Sequence, residues 1–379
     1  MSAPSAEGTD VVEAARRFVA AFVTPHVQAW DGGQADSQGV LPAAGAAGLL
    51  GLEVPLAHGG LGLPFTSKLH VAEVLAAADF GLAMSVINTH NVANHLARVA
   101  APEVARRFVP GLLSGQHSGC TALTEPGAGS DFSAITTLAC RVGDEWQLDG
   151  RKAWIVNAAH ADVLVVYAQT EPGSGARGIA AFVVDGKRSG FVRQARADTA
   201  ATRSVDAGGF SLSGYRARAD ELLHPPGEAF KAALASINGA RTYVAAMCCA
   251  MVQECLRVAN AHGAQRHTFG KPLHEHQGWR WSLADAAIDL AAARLMVDAA
   301  ATLIGDGLDA QTAAAHAKIF ATRMAGRHIA ALMHAMGAEG LRTQHPFMRH
   351  LAAAQVATLT DGSTEMLLDR VARGLRPTG

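Results

Sequence analysis

Aromatic side chains are scarce: Phe, Trp and Tyr together make up 6% of the 379 residues. Such a chain fills its interior with small and aliphatic groups, and its many alanines suit closely packed helices. Charge is also sparse, at 17%, and balances to a formal net charge of −1. That balance leaves no electrostatic footprint for nucleic acid or for an anionic membrane. No apolar run is expected to reach membrane-spanning length without interruption. The start, Met1-Ser2-Ala3-Pro4-Ser5-Ala6-Glu7, lacks the basic-then-apolar pattern of a secretory signal. Cysteine is infrequent and odd in number, at Cys120, Cys140, Cys248, Cys249 and Cys255. No metal-ligand spacing joins these thiols, so no metal site is expected, and a reduced, cytoplasmic setting follows. What is present is apolar content of 49% in a chain long enough for two or three domains.

The patterning changes twice along the chain. Apolar residues recur at three- and four-residue spacing over Val11–Val23, Lys68–Ala78 and Pro102–Leu113, which predicts helices, with a loop at Gly59–Pro64. After Gly119 come short β-favouring runs: Ala134–Val142, Glu145–Leu148, Val163–Gln169, Ile179–Val184 and Gly209–Ser213. Glycine turns such as Asp149-Gly150 and Asp185-Gly186 separate them, so this stretch reads as an antiparallel β-domain. From about Pro226 the helical period returns over Ala229–Ala264, Gln277–Gly305 and Asp309–Met336, with a last helix after Gly362. These read as a bundle. The expectation is an α+β chain with a helical domain over 1–118, a β-domain over 119–225 and a helical bundle over 226–379.

The strongest local motif is Cys120-Thr121-Ala122-Leu123 running into Thr124-Glu125-Pro126-Gly127-Ala128-Gly129-Ser130-Asp131. Glycines let backbone N–H groups approach an anion, and the Ser and Thr hydroxyls add donors. As a bare glycine loop it fits a plain turn into a strand as well as a phosphate site. It lacks the lysine of a P-loop and opens no βαβ unit.

Residue for residue, however, the second part of that motif is similar to the signature of the acyl-CoA dehydrogenase family, and other segments resemble the family in the same order. Gly150-Arg151-Lys152-Ala153-Trp154-Ile155-Val156-Asn157-Ala158 resembles a second β-domain motif whose tryptophan packs on the flavin. Arg266-His267-Thr268-Phe269-Gly270-Lys271-Pro272-Leu273, then Gln277, resembles a segment whose arginine meets the FAD pyrophosphate across a subunit interface. An arginine fork suits two adjacent phosphate oxygens better than a lysine. Arg241, with Asn238 before it, matches an arginine near the CoA end of the acyl site. His334-Ala335-Met336-Gly337-Ala338-Glu339-Gly340 tracks a segment reaching FAD in the neighbouring chain. Thr360-Asp361-Gly362-Ser363-Thr364-Glu365 resembles the run that carries the catalytic base. The resemblance implies the family's fold of a helical domain, a β-barrel-like domain and a four-helix bundle. It also implies FAD, held by Leu123, Thr124, Gly129, Ser130, Trp154, Val156, Arg266, Phe269, Gln277, His334, Gly337, Ala338, Ser363 and Glu365. The thioester would meet Ser130, Asn238, Arg241, His90, Thr360 and Gly362. Implied partners are an acyl-CoA or acyl-carrier-protein thioester, an electron acceptor such as an electron-transfer flavoprotein, and further copies of the chain in a dimer or tetramer.

The departures carry as much information. The base position, a glutamate in the resemblance, is Asp361, one methylene shorter. Val156 stands where many members place a threonine that reaches flavin N5. Ala338 replaces a glycine, His334 a glutamine, and Ala352-Ala353 an Arg-Asp pair. Some relatives keep a base beside the long-helix arginine, but that neighbour here is Ala240. Asp361 is then the expected base, unless it merely caps the final helix, a role Asp before Gly-Ser-Thr-Glu would fill well. His90 and His95 fall in a segment that lines the family's acyl pocket. They could mark a polar acyl group or be solvated helix-face histidines, as with His274, His276, His345 and His350. Their i, i+5 spacing suits no single metal.

The chemistry implied is α,β-dehydrogenation of an acyl thioester in fatty acid or secondary metabolism. Asp361 would take the α-proton and the β-hydrogen would leave as hydride to flavin N5. Two other readings stay open. One is a nitroalkane-oxidase-like flavin oxidase that uses Asp361 on a carbon acid. The other is a thioester-binding relative without redox turnover.

Overall fold

The computed structural model describes residues 6–34, 37–197, 199 and 203–375. Helices open the chain: Ala6–Phe18 (α1, running into a π-turn at Val19–Val23), Val27–Asp31 (α2), Leu41–Ala46 (α3), Phe65–Ala78 (α4), Phe80–Val99 (α5) and Pro102–Leu113 (α6). Asp79 separates α4 from α5 and caps the latter, its Oδ1 accepting from the Leu82 N–H at 2.7 Å. Pro102 opens α6, where its missing N–H costs nothing.

The middle segment is an eight-stranded sheet: Gly119–Ala122 (β1), Leu138–Val142 (β2), Glu145–Ile155 (β3), Val163–Gln169 (β4), Ile179–Asp185 (β5), Phe191–Arg193 (β6), Gly208–Ala217 (β7) and Leu222–His224 (β8). The order is β6-β7-β3-β2-β4-β5-β8, with β1 beside β4. β4 is buried on both faces, and its alternation divides two cores. Val163, Val165 and Tyr167 pack with Val104, Phe108 and Leu112 of α6, while Leu164, Val166 and Ala168 face Phe182, Phe210 and Tyr215 within the sheet domain. A strand covered on both sides reads as an unbroken apolar run, which is how β4 appears in the sequence. The expectation of a wholly antiparallel domain needs one correction. β1 pairs with β4 in parallel, register Cys120 to Leu164, and β2 touches β4 in parallel through Leu138 and Gln169.

The third segment comprises Ala229–Gln265 (α7), a small hairpin of His267–Thr268 (β9) and Lys271–Pro272 (β10), then Gln277–Gly305 (α8), Gln311–Ala335 (α9), Phe347–Leu359 (α10) and Thr364–Gly374 (α11). α7 is the axis. It is buried without a break from Ala240 to Val252, packing against α4, α8, α9 and α10, as a helix apolar all round must be. By length and composition alone α7 is apolar enough to cross a membrane, yet 61% of its most apolar window is buried inside the fold. α7 to α10 form the bundle, and α11 lies on α9, with Leu367 against Ala315 and Ile319.

Candidate active site

Three groups of residues stand out, and backbone strain marks each. Among the described residues, five non-glycine residues have left-handed φ: Trp154 (59°), Asn157 (64°), Asp206 (46°), Phe269 (50°) and Asp361 (53°). Three of them, Trp154, Phe269 and Asp361, were singled out from the sequence as site residues. Strain of this kind concentrates at functional positions.

The first group lies at the sheet. β1 delivers the chain to Leu123 and the glycine loop, and the Ala153 N–H donates to Thr124 O at 3.2 Å, which sets Trp154 beside that loop. Glu125 is the loop's internal anchor. Its carboxylate accepts from Thr136 N at 2.7 Å, Thr136 Oγ1 at 2.8 Å, Thr137 N at 2.9 Å and Lys152 Nζ at 2.9 Å. Lys152 also donates to Leu123 O at 2.9 Å. With Glu125 turned inward, Gly129 and Ser130 are left exposed. Open space surrounds the missing Cβ positions of Gly127 and Gly129. Trp154 is 67% exposed despite its size. Val156 is half-buried and packs on the helical core.

The second group lies at one end of the bundle. Arg266, Phe269 and Gln277 are exposed around the β9–β10 hairpin, Phe269 at 98%. Trp279 Nε1 donates to Ala335 O at 3.0 Å, tying the start of α8 to the segment with His334, Gly337 and Ala338, all exposed. Arg266 has no ion-pair partner among the described residues. No hydrogen bond or ion pair among them joins this group to the first.

The third group surrounds Asp361. α10 ends at Leu359, and Asp361 and Gly362 (φ 100°) reverse the chain before α11. Asp tolerates this conformation better than most residues. Glycine suits the next position because its φ of 100° is one that L side chains rarely adopt. Arg241 Nε donates to Asp361 O at 3.0 Å and Lys318 Nζ donates to Gly362 O at 2.7 Å. Arg241 Nη1 is steadied by Asn238 Oδ1 at 3.0 Å. The cap of α11 is Ser363, whose Oγ accepts from Met366 N at 3.3 Å. The capping alternative for Asp361 is therefore overturned. Its carboxylate accepts no hydrogen bond among the described residues. Burial raises the Asp361 pKa, with Lys318 and Arg241 pulling it back. Thr360 Oγ1 is buried without a partner among the described residues, while Glu365 is exposed on α11. Replacing Ser363 with alanine should cost about 1 kcal/mol of stability in chemical denaturation, the usual worth of a cap.

His90 corrects the expectation of a solvated histidine. It is fully buried, with Nδ1 on Leu50 O and Nε2 on Glu53 Oε2, both at 3.2 Å. Both ring nitrogens are occupied, so His90 reaches the site only through neighbours. Glu53 pairs with Lys68, Lys68 donates to Asn91 Oδ1 at 3.3 Å, and Asn91 Nδ2 donates to the Tyr243 hydroxyl at 3.4 Å. His350 is likewise buried, on Ala77 O at 3.1 Å. His95 Nε2 lies 2.9 Å from His224 Nε2. Sequence reasoning passed over Lys318 and Tyr243. The available signal for Lys318 was a lone lysine in the alanine-rich, buried face of α9.

Helices thus surround a sheet that carries an open glycine loop beside an exposed tryptophan, and a carboxylate stands on a strained turn. The chain matches the acyl-CoA dehydrogenase N-terminal domain over residues 5–116, the middle domain over 120–214 and the C-terminal domain over 227–376. It is 32% identical to the human short-chain specific acyl-CoA dehydrogenase, mitochondrial, over 340 residues, covering 88% of this chain and 82% of that protein. It is 28% identical to the glutaryl-CoA dehydrogenase of Desulfococcus multivorans, covering 93% and 92%. Among solved structures, butyryl-CoA dehydrogenase from Megasphaera elsdenii superposes with a TM-score of 0.94 at 27% identity, over 99% of each chain. A chain in the structure of the electron transferring flavoprotein of Acidaminococcus fermentans gives the same TM-score and identity over 100% of each. The chain belongs to the acyl-CoA dehydrogenase family, whose members are FAD-dependent oxidoreductases. The residues present fit that cofactor: the glycine cradle is open, and Trp154, Phe269 and the unpaired Arg266 are exposed.

Proposed function

We propose that this protein dehydrogenates a CoA thioester at its α and β carbons with Asp361 as the base. The observation that carries this reading is the free carboxylate of Asp361, released from capping by Ser363 and held by its backbone on Arg241 and Lys318. FAD, when bound, would supply the two-electron acceptor for the β-hydrogen. The chain's own residues supply the remainder. Asp361 takes the α-proton, and a raised pKa brings its basicity closer to the working pH. Arg241, Thr360 and Gly362 border the thioester, the unpartnered Thr360 hydroxyl supplying a donor. Leu123, Thr124, Gly129, Ser130, Trp154 and Val156 are the FAD contacts of one chain. Arg266, Phe269, Gln277, His334, Gly337 and Ala338 would serve the FAD of a neighbouring copy, and Ser363 and Glu365 would hold the cofactor from the base's turn. Val156 offers no hydroxyl to the flavin, so reoxidation differs from members with a threonine there. An electron-transfer flavoprotein is the proposed acceptor, in keeping with the structural relative from such a system.

The decisive experiment purifies the protein with its flavin and adds thioesters anaerobically. Loss of the flavin absorption band with acyl-CoAs, and not with nitroalkanes, is expected. Bleaching by nitroalkanes alone would replace this reading, and a flavin-free protein that binds acyl-CoA would remove it. A parallel series of acyl-carrier-protein thioesters identifies the carrier.

The shared-site assignment requires more than one copy. Trp281, Ile288 and Leu295 are 61%, 66% and 72% exposed on α8 at seven-residue spacing, one apolar stripe with no partner within the described chain. Ile288→Asp with Leu295→Asp should shift the sedimentation coefficient to a smaller species and release FAD. An unchanged coefficient would place the contact elsewhere.

A further inference from the structure

We propose that Lys318 is a positioning residue whose ammonium, seated on the Gly362 carbonyl, fixes the turn carrying Asp361 and holds that carboxylate ionised. The inference rests on the proposed role of Asp361 as base. Lys318 is fully buried in α9, in a run with Ala314, Ala315, Ala317 and Ile319. Burying an ammonium is costly unless a carboxylate pairs with it. Here the ammonium donates at 2.7 Å to a neutral carbonyl, and no carboxylate among the described residues forms an ion pair with it. A methionine would fill the same space without that penalty, so packing alone does not account for a lysine.

The groups that act on this ammonium come from three elements. Asp361 and Glu365, from the turn and α11, favour its charge, Arg241 on α7 opposes it, and Cys248 on α7 faces it as a thiol that burial keeps neutral. Asp361 in turn feels the charges of Lys318 and Arg241 without pairing to either, and its own charge acts on the Tyr243 hydroxyl. The two cations hold successive carbonyls, Arg241 on residue 361 and Lys318 on residue 362. The turn is thus clamped from α7 and α9 while the carboxylate stays free. Burial brings Lys318 down to about 8. Its charge is therefore present at neutral pH and fades above it.

The test compares the FAD-loaded wild type, Lys318→Met and Lys318→Arg. The first readout is the rate of anaerobic flavin bleaching by the fastest acyl-CoA across the pH range. In Lys318→Met the rising limb of the profile should move to higher pH, leaving the variant about tenfold slower at acid pH for each pKa unit moved. That deficit should shrink as pH rises. Lys318→Arg keeps the charge and should restore the wild-type profile in large part. A Lys318→Met profile that superposes on wild type, or is lower by one factor at every pH, would overturn the proposal. The second readout is the melting temperature, with and without Asp361→Asn, in the wild-type and Lys318→Met backgrounds, and it needs no substrate. An ionised Asp361 should be more destabilising without Lys318, so the gain from Asp361→Asn at neutral pH should be larger in Lys318→Met. Equal gains would sink the idea even if the dehydrogenase reading itself fails. A wild type that no acyl-CoA bleaches would count against that reading alone.

Discussion

Asp361→Asn should abolish bleaching of the flavin band by acyl-CoA while leaving the protein folded and yellow. A positioned general base contributes roughly 10²–10⁴ in rate, and the stopped-flow bleaching rate should fall by about that factor. The amide is nearly isosteric, and the backbone contacts of Arg241 and Lys318 are to carbonyls that the substitution leaves in place. Stability should move the other way. Burial raises the folded-state pKa of Asp361, so its contribution is greatest at low pH and is lost as pH rises through that value. Removing the ionised form should leave the melting temperature at neutral pH unchanged or higher, a trade of stability for activity often seen at catalytic sites. Unchanged bleaching rates would discard Asp361 as base. Asp361→Glu asks a different question. A misplacement of about 1 Å can cost on the order of 10² in rate, so a slower Glu variant would mean that the pocket is shaped around the shorter side chain.

Local periodicity carried much of this fold, and the losses have physical causes. α6 and α8 begin and end where the sequence placed them, and β4 matches its apolar run. Each has a clear end: Pro102 opens α6, α8 stops before the turn at Asp306-Gly307, and turns bound β4. α10 was passed over because its buried positions, Phe347, His350, Ala353, Ala354 and Ala357, are a histidine and mostly alanines, which carry little apolar contrast. β6 and β8 have three residues each, too few for an alternation to show. β1 was absorbed into the glycine-loop motif, and its parallel partner lies about forty residues on, beyond any local signal. The site divided similarly. Asp361, Trp154 and Phe269 could be chosen by motif, but the capping role of Ser363 could not be separated from that of Asp361 on spacing alone. Both precede the same helix, and only the direction of the side chains decides. His90 looked polar and available in the sequence. Its burial depends on Glu53 and Leu50, about forty positions earlier.

Glu125→Ala should be the most destabilising substitution in the cofactor cradle and should release FAD. Glu125 and Lys152 are 5% and 1% exposed and lie 2.9 Å apart. Burial pushes the Glu125 pKa up, but Lys152 and the bonds from Thr136 and Thr137 more than offset it, to about 2. Burial likewise pulls Lys152 down to about 8, with Glu125 opposing. Removing one member of a buried pair leaves the other charge stranded, at a cost of about 3–5 kcal/mol. The melting temperature should fall on the order of 10 °C. The double variant Glu125→Gln with Lys152→Met removes both charges and keeps one carbonyl oxygen to accept from Thr136. It should recover part of that loss, since neither charge is then left stranded. The pH dependence follows from the sign of the shift. Because the folded-state value is depressed from 4.5 to about 2, this stabilisation is complete above about pH 5 and is lost as pH falls toward 2. In Glu125→Ala that component of the acid dependence should vanish. FAD retention separates the two roles of the pair. The loop places Gly129 and Ser130 outward only while Glu125 is turned inward, so flavin should leave Glu125→Ala at temperatures where the protein is still folded. If flavin is retained up to the melting point, the cradle is held by the sheet and not by this ion pair.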